Sequence, residues 1–319
     1  MDKNPSVDLL KGVLILLVMI GHAMEITQHQ HPVLWIGAGF RMPLMIGISG
    51  YLLNITALRG ASMRQLFGRY GRRMLIPWGV AMLVYLCASG TWPTGWTGAI
   101  DLLLRPPFHL WYVPVLFFLV MLTRLTALPS IVLLAVGTPV SLAIMASFGL
   151  DHGAIGSGPL AIDSRFLRYP IYFFFGMLMA ERGMSRRYLA VALLVAGLGM
   201  VWWAGLARGV SPLTLMAARL LMCLGLIALL PALSSLRLRI APLNAIGRDS
   251  LFFYLWHPLL MALLLAGGAE AELMLALSVP GLFLAGRVGA RMPALAHLLG
   301  SAPIRRTAGP LPDALPQAA

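Results

Sequence analysis

The feature of this sequence that most constrains its fold is a succession of long apolar runs. A helix needs about 20 predominantly apolar residues to cross a hydrocarbon core about 30 Å thick. Ten runs reach or approach that length, at residues 7–26, 35–55, 74–89, 110–126, 131–150, 167–180, 188–206, 213–233, 251–267 and 273–284. The third, sixth and tenth are the shortest. The sequence therefore predicts an all-α polytopic integral membrane protein with about ten transmembrane helices.

The composition excludes a soluble globular protein. Of the 319 residues, 59% are hydrophobic and only 11% are charged, which leaves too little polar surface to cover a water-soluble domain of this size. The net charge of +13 would suit a nucleic-acid-binding protein, but the basic residues form short clusters between apolar runs, so we expect no nucleic-acid partner. Cys87 and Cys223 lie within apolar runs, where neither a disulfide framework nor a thiolate metal site is indicated.

The placement of Lys and Arg predicts the orientation. Short cytoplasmic loops retain basic residues, whereas translocated loops avoid them. The connection between the second and third runs carries five arginines, Arg59, Arg64, Arg69, Arg72 and Arg73. Every second connection after it, and the segment after the tenth run, is also basic, at Arg124, Arg182, Arg186, Arg187, Arg237, Arg239, Arg287, Arg291, Arg305 and Arg306. Both ends of the chain are therefore expected in the cytoplasm. Residues 1–300 form the predicted membrane domain, its first run an uncleaved span, and residues 301–319 a disordered cytoplasmic tail.

Ionisable residues within spans are costly and usually mark a functional site. The first run holds Asp8, Lys11, His22 and Glu25. Lys11 and His22 are eleven residues apart, which is about three helical turns, so the two side chains are predicted on one helix face about 16 Å apart along the axis. One stripe of the helix would then join the cytoplasmic edge of the membrane to a deeper histidine.

These residues carry a resemblance to a known family. Lys11 with Gly12 after it, eleven residues ahead of His22, resembles the signature of the acyltransferase-3 family of membrane acyltransferases. Five further stretches are similar to that family and occur in its order: FRMPLMIGISGYLL (40–53), RRMLIPW (72–78), HLWYVPVLF (109–117), RYPIYFFFGMLM (168–179) and GRDSLFFYLWHPLL (247–260). Together they extend to the ninth run. Lys11 stands where many members have Arg, and a lysine ammonium grips a phosphate or carboxylate less directionally than a guanidinium.

The resemblance, which is strongest to small sugar O-acetyltransferases without an appended hydrolase-like domain, implies an O-acetyltransferase. Such an enzyme moves an acyl group, often acetyl, from cytoplasmic acyl-coenzyme A to a hydroxyl of a glycan or glycolipid. It implies a multi-pass protein of the bacterial cytoplasmic (inner) membrane, acyl-coenzyme A as a cosubstrate and no permanently bound cofactor. The acceptor, the acyl chain length, the side of the membrane on which transfer occurs and the oligomeric state, a homo-oligomer included, stay open.

The residues divide into three expected roles. His22 is the expected general base, acting directly on the acceptor hydroxyl, with Glu25 one turn on to orient its ring. Donor binding is assigned to Lys11, Arg72 and Arg73. Acceptor binding is assigned to Arg41, His109, Trp111 and Tyr112. No metal is expected, because Asp8 lies about 20 Å from His22 along the helix and the pair His29 and His31 has no third ligand in view.

Plainer interpretations compete with these roles. His22 could be a packed histidine, and the positive-inside rule alone would place Arg72 and Arg73 where they are. His109 could be an interfacial anchor, whereas His257, followed by Pro258, is read as helix-kink packing, with its participation and that of Asp8 left open. At the level of the whole chain, a transporter or flippase of a polar glycolipid or small solute, or an accessory subunit of a glycan-assembly complex, is the alternative to an enzyme.

Overall fold

The computed structural model describes residues 4–28, 32–182, 185–206 and 210–301. Almost all regular structure in these ranges is helical. The predicted tail at 301–319, apart from Ser301, lies outside the described residues, as do His29 and His31. The helices are α1 (Pro5–Ile26), α2 (Pro32–Tyr51), α3 (Ile55–Gly60), α4 (Met63–Tyr70), α5 (Ile76–Ser89), α6 (Gly95–Leu104), α7 (Tyr112–Thr126), α8 (Ser130–Phe148), α9 (Arg165–Arg168), α10 (Pro170–Arg182), α11 (Arg186–Gly205), α12 (Pro212–Ala228), α13 (Leu230–Ser235), α14 (Ala241–Arg248), α15 (Ser250–Ala266), α16 (Ala271–Gly289) and α17 (Pro293–Leu299).

Four short elements interrupt this pattern. A π-helical turn, Gly71–Leu75, joins α4 to α5, and a 3₁₀ turn covers Gly158–Leu160. Two short strands, β1 (Ala154–Ile155) and β2 (Ile162–Asp163), pair antiparallel, with Ala154 opposite Asp163. One residue, Ser164, separates β2 from α9, and Oδ1 of Asp163 accepts a hydrogen bond from the backbone N–H of Arg165 at 2.8 Å.

The described helices are those of a multi-pass membrane protein. Five are long and apolar enough to cross a bilayer: α1, α8, α11 over Arg187–Gly205, α12 with α13 over Pro212–Ser235, and α16. A sixth span is available if α14 and α15, which meet at 87°, are taken together. Large apolar side chains on the outside of the bundle are consistent with lipid as the surrounding solvent, for example Val191, Leu194 and Val201 of α11, which are 57%, 60% and 74% exposed. The all-α membrane class is thus supported, whereas the count of ten spans and the cytoplasmic placement of both ends stay predictions.

The three shortest predicted spans have different outcomes in the fold. The span at 74–89 is the 14-residue α5, preceded by the π-helical turn, and the span at 167–180 is the 13-residue α10. The tenth, expected at 273–284, is longer than predicted, because α16 runs over Ala271–Gly289. Pro280 lies inside this helix without ending it. The apolar run alone therefore predicted too short a helix for the last span.

Helix α1 lies at the centre of the part of the fold that concerns function. It packs against α2, α14, α15 and α16. Its closest neighbour is α14, because Gly12 and Gly247 face each other: a Cβ at Gly12 would overlap the carbonyl of Leu243, and one at Gly247 would overlap the carbonyl of Asp8. Small residues allow helix backbones to approach this closely in membranes. This contact brings the Lys11 end of α1 next to the 87° bend between α14 and α15.

Candidate active site

Lys11 and His22 occupy the two ends of one helix. Both lie within α1, which runs unbroken over Pro5–Ile26. The prediction that they share a helix is confirmed, and the 1.5 Å rise per residue separates them by about 16 Å. Asn4 caps the helix by accepting a hydrogen bond from the backbone N–H of Ser6 at 3.0 Å, so the Lys11 end is also the capped end. The two ends have very different surroundings.

At the Lys11 end the fold forms a cavity of about 690 Å³ with basic walls. We call it the basic cavity; its lining is Lys11, Gly68, Arg69, Arg72, Arg73, Arg248, Ser250, Leu251, Ala296, His297, Gly300 and Ser301. Five of these side chains are lysine or arginine, and no lining residue is Asp or Glu. The three predicted donor-binding residues thus line one cavity. Arg69 and His297 join them from α4 and α17, and neither had been assigned to donor binding from the sequence.

Local structure explains how the arginines reach the basic cavity. Arg72 and Arg73 lie in the π-helical turn, whose wider coil follows α4. Arg248 ends α14 at the bend into α15. The Nζ of Lys11 lies 3.3 Å from the carboxylate of Asp8, one turn earlier on α1. The cavity therefore collects cations from three separate parts of the chain.

At the other end of α1, three histidines meet. His22 of α1, His109 ahead of α7 and His257 of α15 form what we call the histidine cluster. The ring centroids of His22 and His257 are 5.0 Å apart, those of His109 and His257 5.5 Å, and those of His22 and His109 5.9 Å. His257 is fully buried, and His22 and His109 are half-buried. Among the residues that the structure describes, no group of three histidine, cysteine or acidic side chains is arranged to hold a metal ion.

A chain of hydrogen bonds connects two of these rings to the backbone. Nδ1 of His257 lies 2.8 Å from the carbonyl oxygen of Phe253, and Nε2 of His257 lies 3.2 Å from Nδ1 of His22. His257 was expected to pack at a helix kink. The structure instead puts its ring in contact with the predicted base. The residue type offered one signal, since an ionisable side chain within a span usually marks a site.

The helix around His257 is opened by proline and held by a tyrosine. Pro258 has no N–H and so cannot complete the α-helical bond to Tyr254. The hydroxyl of Tyr85, from α5, lies in the next gap: it donates to the carbonyl of Leu255 at 3.1 Å and accepts from the N–H of Leu259 at 2.9 Å. The backbone beside His257 is therefore fixed by a side chain from another helix.

His109 has one nitrogen with no partner. Its backbone carbonyl accepts a hydrogen bond from the hydroxyl of Tyr254, which in turn accepts from the backbone N–H of Tyr112 at 3.2 Å. The ring packs edge-on against Tyr85 and Tyr254, each with its centroid 5.2 Å away. Nε2 of His109 is buried and has no hydrogen-bond partner in the described part of the chain. Buried polar atoms are normally bonded, so this nitrogen is suited to a ligand.

Glu25 and Arg41 form an ion pair next to the histidine cluster. The Glu25 carboxylate lies 3.0 Å from the Arg41 guanidinium, which also donates to the carbonyl of Leu17 at 3.3 Å. The guanidinium lies against Gly21, where a Cβ would overlap it. Glu25 was expected to orient His22, but the fold directs its carboxylate to Arg41. Its catalytic role stays a prediction.

The two aromatic acceptor residues predicted from the sequence belong to one wall. The ring of Trp111 stacks on Tyr169 at 5.1 Å, and the guanidinium of Arg165 lies 4.8 Å from the centre of the Trp111 ring. Asp163 holds Arg165 through its Nε at 2.9 Å. The hydroxyl of Tyr112 pairs with Ser49 at 2.9 Å. Trp111 and Tyr112 are each 8% exposed, so they form a covered wall rather than an open surface.

Comparison with known protein families gives a match over most of the chain. The acyltransferase-3 family model, described as an acyltransferase domain, matches residues 4–286. This range contains α1, the π-helical turn and the three histidines. No curated protein and no solved structure shows significant similarity to the chain.

Proposed function

The chain belongs to the acyltransferase-3 family, and on that premise we propose that it is a membrane O-acyltransferase that moves an acyl group, most simply acetyl, from acyl-coenzyme A to a hydroxyl of a glycan or glycolipid. The observation that carries the proposal is the single helix α1, which joins a cationic cavity to the hydrogen-bonded pair of His22 and the buried His257. A site suited to binding a charged donor and a site suited to proton transfer therefore lie at the two ends of one helix.

The basic cavity suits the nucleotide end of the donor. Coenzyme A carries several phosphate charges, and clustered Lys and Arg side chains attract and hydrogen-bond such groups. Lys11, Arg72 and Arg73 are the proposed donor-binding residues, with Arg69 and Arg248 beside them. By the positive-inside rule this end of α1 faces the cytoplasm, where acyl-coenzyme A is found. The donor is a cosubstrate that arrives and leaves at each turnover.

At the histidine cluster, His22 is the proposed general base. Its imidazole takes the proton of the acceptor hydroxyl while the hydroxyl oxygen forms a bond to the thioester carbonyl carbon. The carbon–sulfur bond then breaks, and the coenzyme A thiolate leaves with the proton that His22 had accepted. The products are the ester and free coenzyme A, so atoms and charge balance. No covalent acyl-enzyme is required.

The acceptor is proposed to lie against the aromatic wall and the Glu25–Arg41 pair. Aromatic faces and hydrogen-bonding side chains suit a sugar, and the unpartnered Nε2 of His109 offers a contact to a substrate oxygen. Arg41, His109, Trp111 and Tyr112 are therefore the proposed acceptor-binding residues. In keeping with the family resemblance, the protein is proposed to work in the bacterial inner membrane.

Transfer of labelled acetyl tests this proposal. Membranes containing the full-length protein are incubated with acetyl-coenzyme A labelled in the acetyl group, together with envelope glycans and lipids from the same host. We expect base-labile label in the glycan or lipid fraction. The His22→Gln variant should transfer about 10²- to 10⁴-fold more slowly, since that is the range for loss of a general base.

The matched control is His152→Gln, which changes an exposed histidine of the connection between α8 and α9 and should keep full transfer. The unfolding temperature of each variant is measured in detergent to check that the variant is folded. Full activity of folded His22→Gln would refute the role of His22. Movement of a glycolipid or solute across the membrane without labelling would instead identify a transporter.

A further inference from the structure

We propose that His257 is a positioning residue that fixes the tautomer of His22, so that Nε2 of His22 carries the free lone pair that takes the acceptor proton. This inference rests on the proposed function of His22 as the base. A neutral imidazole has one N–H and one lone pair, and which nitrogen carries the proton is set by the hydrogen bond that the other makes. The contacts of His257 and then those of His22 determine which nitrogen of His22 carries the proton.

The first step is the bond between His257 and the backbone. The carbonyl oxygen of Phe253 can only accept, and it lies 2.8 Å from Nδ1 of His257. Nδ1 of His257 must therefore carry a hydrogen. In the neutral ring this leaves Nε2 as an acceptor.

The second step is the bond between the two histidines. Nε2 of His257 lies 3.2 Å from Nδ1 of His22, and because the former accepts, the latter must donate. The proton of neutral His22 is then on Nδ1, and its Nε2 is a bare lone pair. A doubly protonated His257 would reverse this, since it would donate to Nδ1 of His22 and leave the proton of His22 on Nε2.

The surroundings of His257 favour the neutral ring. The side chain is fully buried, and a buried charge is costly unless it is paired. The groups that face it are His22 from α1, His109 ahead of α7 and the backbone of Phe253, with Tyr85 from α5 and Tyr254 packed beside them. None is a carboxylate, and the nearby carboxylate of Glu25 is engaged by Arg41. A cation at His257 would thus lack a counter-ion among the described residues.

The fold holds this arrangement in place. The contact between His22 and His257 joins residues 235 positions apart in the chain. Tyr85 fixes the opened backbone next to His257. The carbonyl that accepts from Nδ1 of His257 belongs to Phe253, a residue that is only 2% exposed. When His22 becomes protonated during transfer, its Nδ1–H bond to His257 becomes charge-assisted and therefore stronger. His257 thus acts on the reaction through His22, without touching the substrate.

The tautomer is measured directly by solid-state nitrogen NMR of the full-length protein in lipid bilayers with ¹⁵N-labelled histidine. The His22 signals are assigned as those missing from His22→Gln. We expect wild-type His22 with Nδ1 protonated and Nε2 bare. In His257→Leu, which removes the acceptor, we expect the proton of His22 to move to Nε2. Protonated Nε2 in the wild-type protein would overturn the inference.

Kinetics supply a second readout. His257→Leu should lower kcat about 10²- to 10⁴-fold, the range seen when a general base is removed or is held in the wrong tautomer, with the KM for acetyl-coenzyme A unchanged. His257→Gln keeps an oxygen that can accept from Nδ1 of His22 and an amide that can donate to Phe253, so it should recover at least about tenfold in kcat over His257→Leu. Equal loss in both folded variants would indicate packing alone and contradict the proposal.

The two proposals fail in different ways. The NMR result does not depend on activity, so the tautomer is tested even if no acceptor is acetylated. Absence of acetyl transfer by the wild-type protein would count against the proposed function. An active wild-type protein with Nε2 of His22 protonated would count against His257 alone.

Discussion

The surroundings of the two ends of helix α1 differ in charge and in burial. The basic cavity at Lys11 has five cationic side chains, of which Arg72 and Arg73 are exposed. The histidine cluster at His22 consists of three imidazole rings, and its innermost member, His257, is fully buried. Charge can be contributed by several side chains at once, so the cavity is redundant. A proton acceptor must be one atom in one orientation, so the residues of the histidine cluster cannot replace one another.

The largest loss of stability and activity is expected from a change in the α1–α14 contact, because both the basic cavity and the histidine cluster depend on the position of α1. Gly247→Leu should disrupt both, because its Cβ alone would overlap the carbonyl of Asp8 and force α14 away from α1. Overpacking of this kind costs about 1–3 kcal/mol and occasionally more. We expect a lower unfolding temperature in detergent and loss of both donor binding and acetyl transfer.

The matched control for this change is Gly197→Leu. Gly197 lies in α11, is exposed, and has nothing within 4 Å of the position that its Cβ would take. This variant should keep its stability and activity. If Gly247→Leu is as stable and active as Gly197→Leu, the close α1–α14 contact does not support the site.

A smaller effect, confined to binding, is expected from the basic cavity. Replacing Arg72 and Arg73 together by Ala should raise the KM for acetyl-coenzyme A about 10- to 100-fold, because a hydrogen bond to a charged group contributes about 1.5–3 kcal/mol. The value of kcat should stay within about twofold, since three cations remain and His22 is untouched. Arg187→Ala, an exposed arginine of α11 outside the cavity, is the control. A fall in kcat at unchanged KM would contradict the division of labour between the two ends.

The smallest effect is expected at Glu25. Its carboxylate pairs with Arg41 and is 57% exposed, and exposed ion pairs contribute about 0–1 kcal/mol. Glu25→Gln should therefore change kcat by no more than about fivefold. Glu25→Gln, Arg41→Gln and the double variant form a cycle that measures the coupling of the pair. A loss as large as that of His22→Gln would mean that Glu25 acts on the imidazole during the reaction, as the sequence alone suggested.

The sequence by itself determined the features that depend on neighbouring residues. Apolar content fixed the all-α membrane class, and it placed the ninth run at 251–267, where α15 covers Ser250–Ala266. Helical geometry placed Lys11 and His22 on one helix, because a separation of eleven residues has the same meaning in any α-helix. Family-like motifs at these positions added the functional class.

Only the tertiary structure decided which side chains meet. His257 reaches His22 because α15 packs against α1 and is opened at Pro258, and no local pattern encodes a contact across 235 residues. Glu25 pairs with Arg41 because the side chain of Arg41 is only 10% exposed, and a largely buried cation is costly without a counter-ion. Helix formation is local, whereas the pairing of buried polar groups is settled by the packing of distant helices.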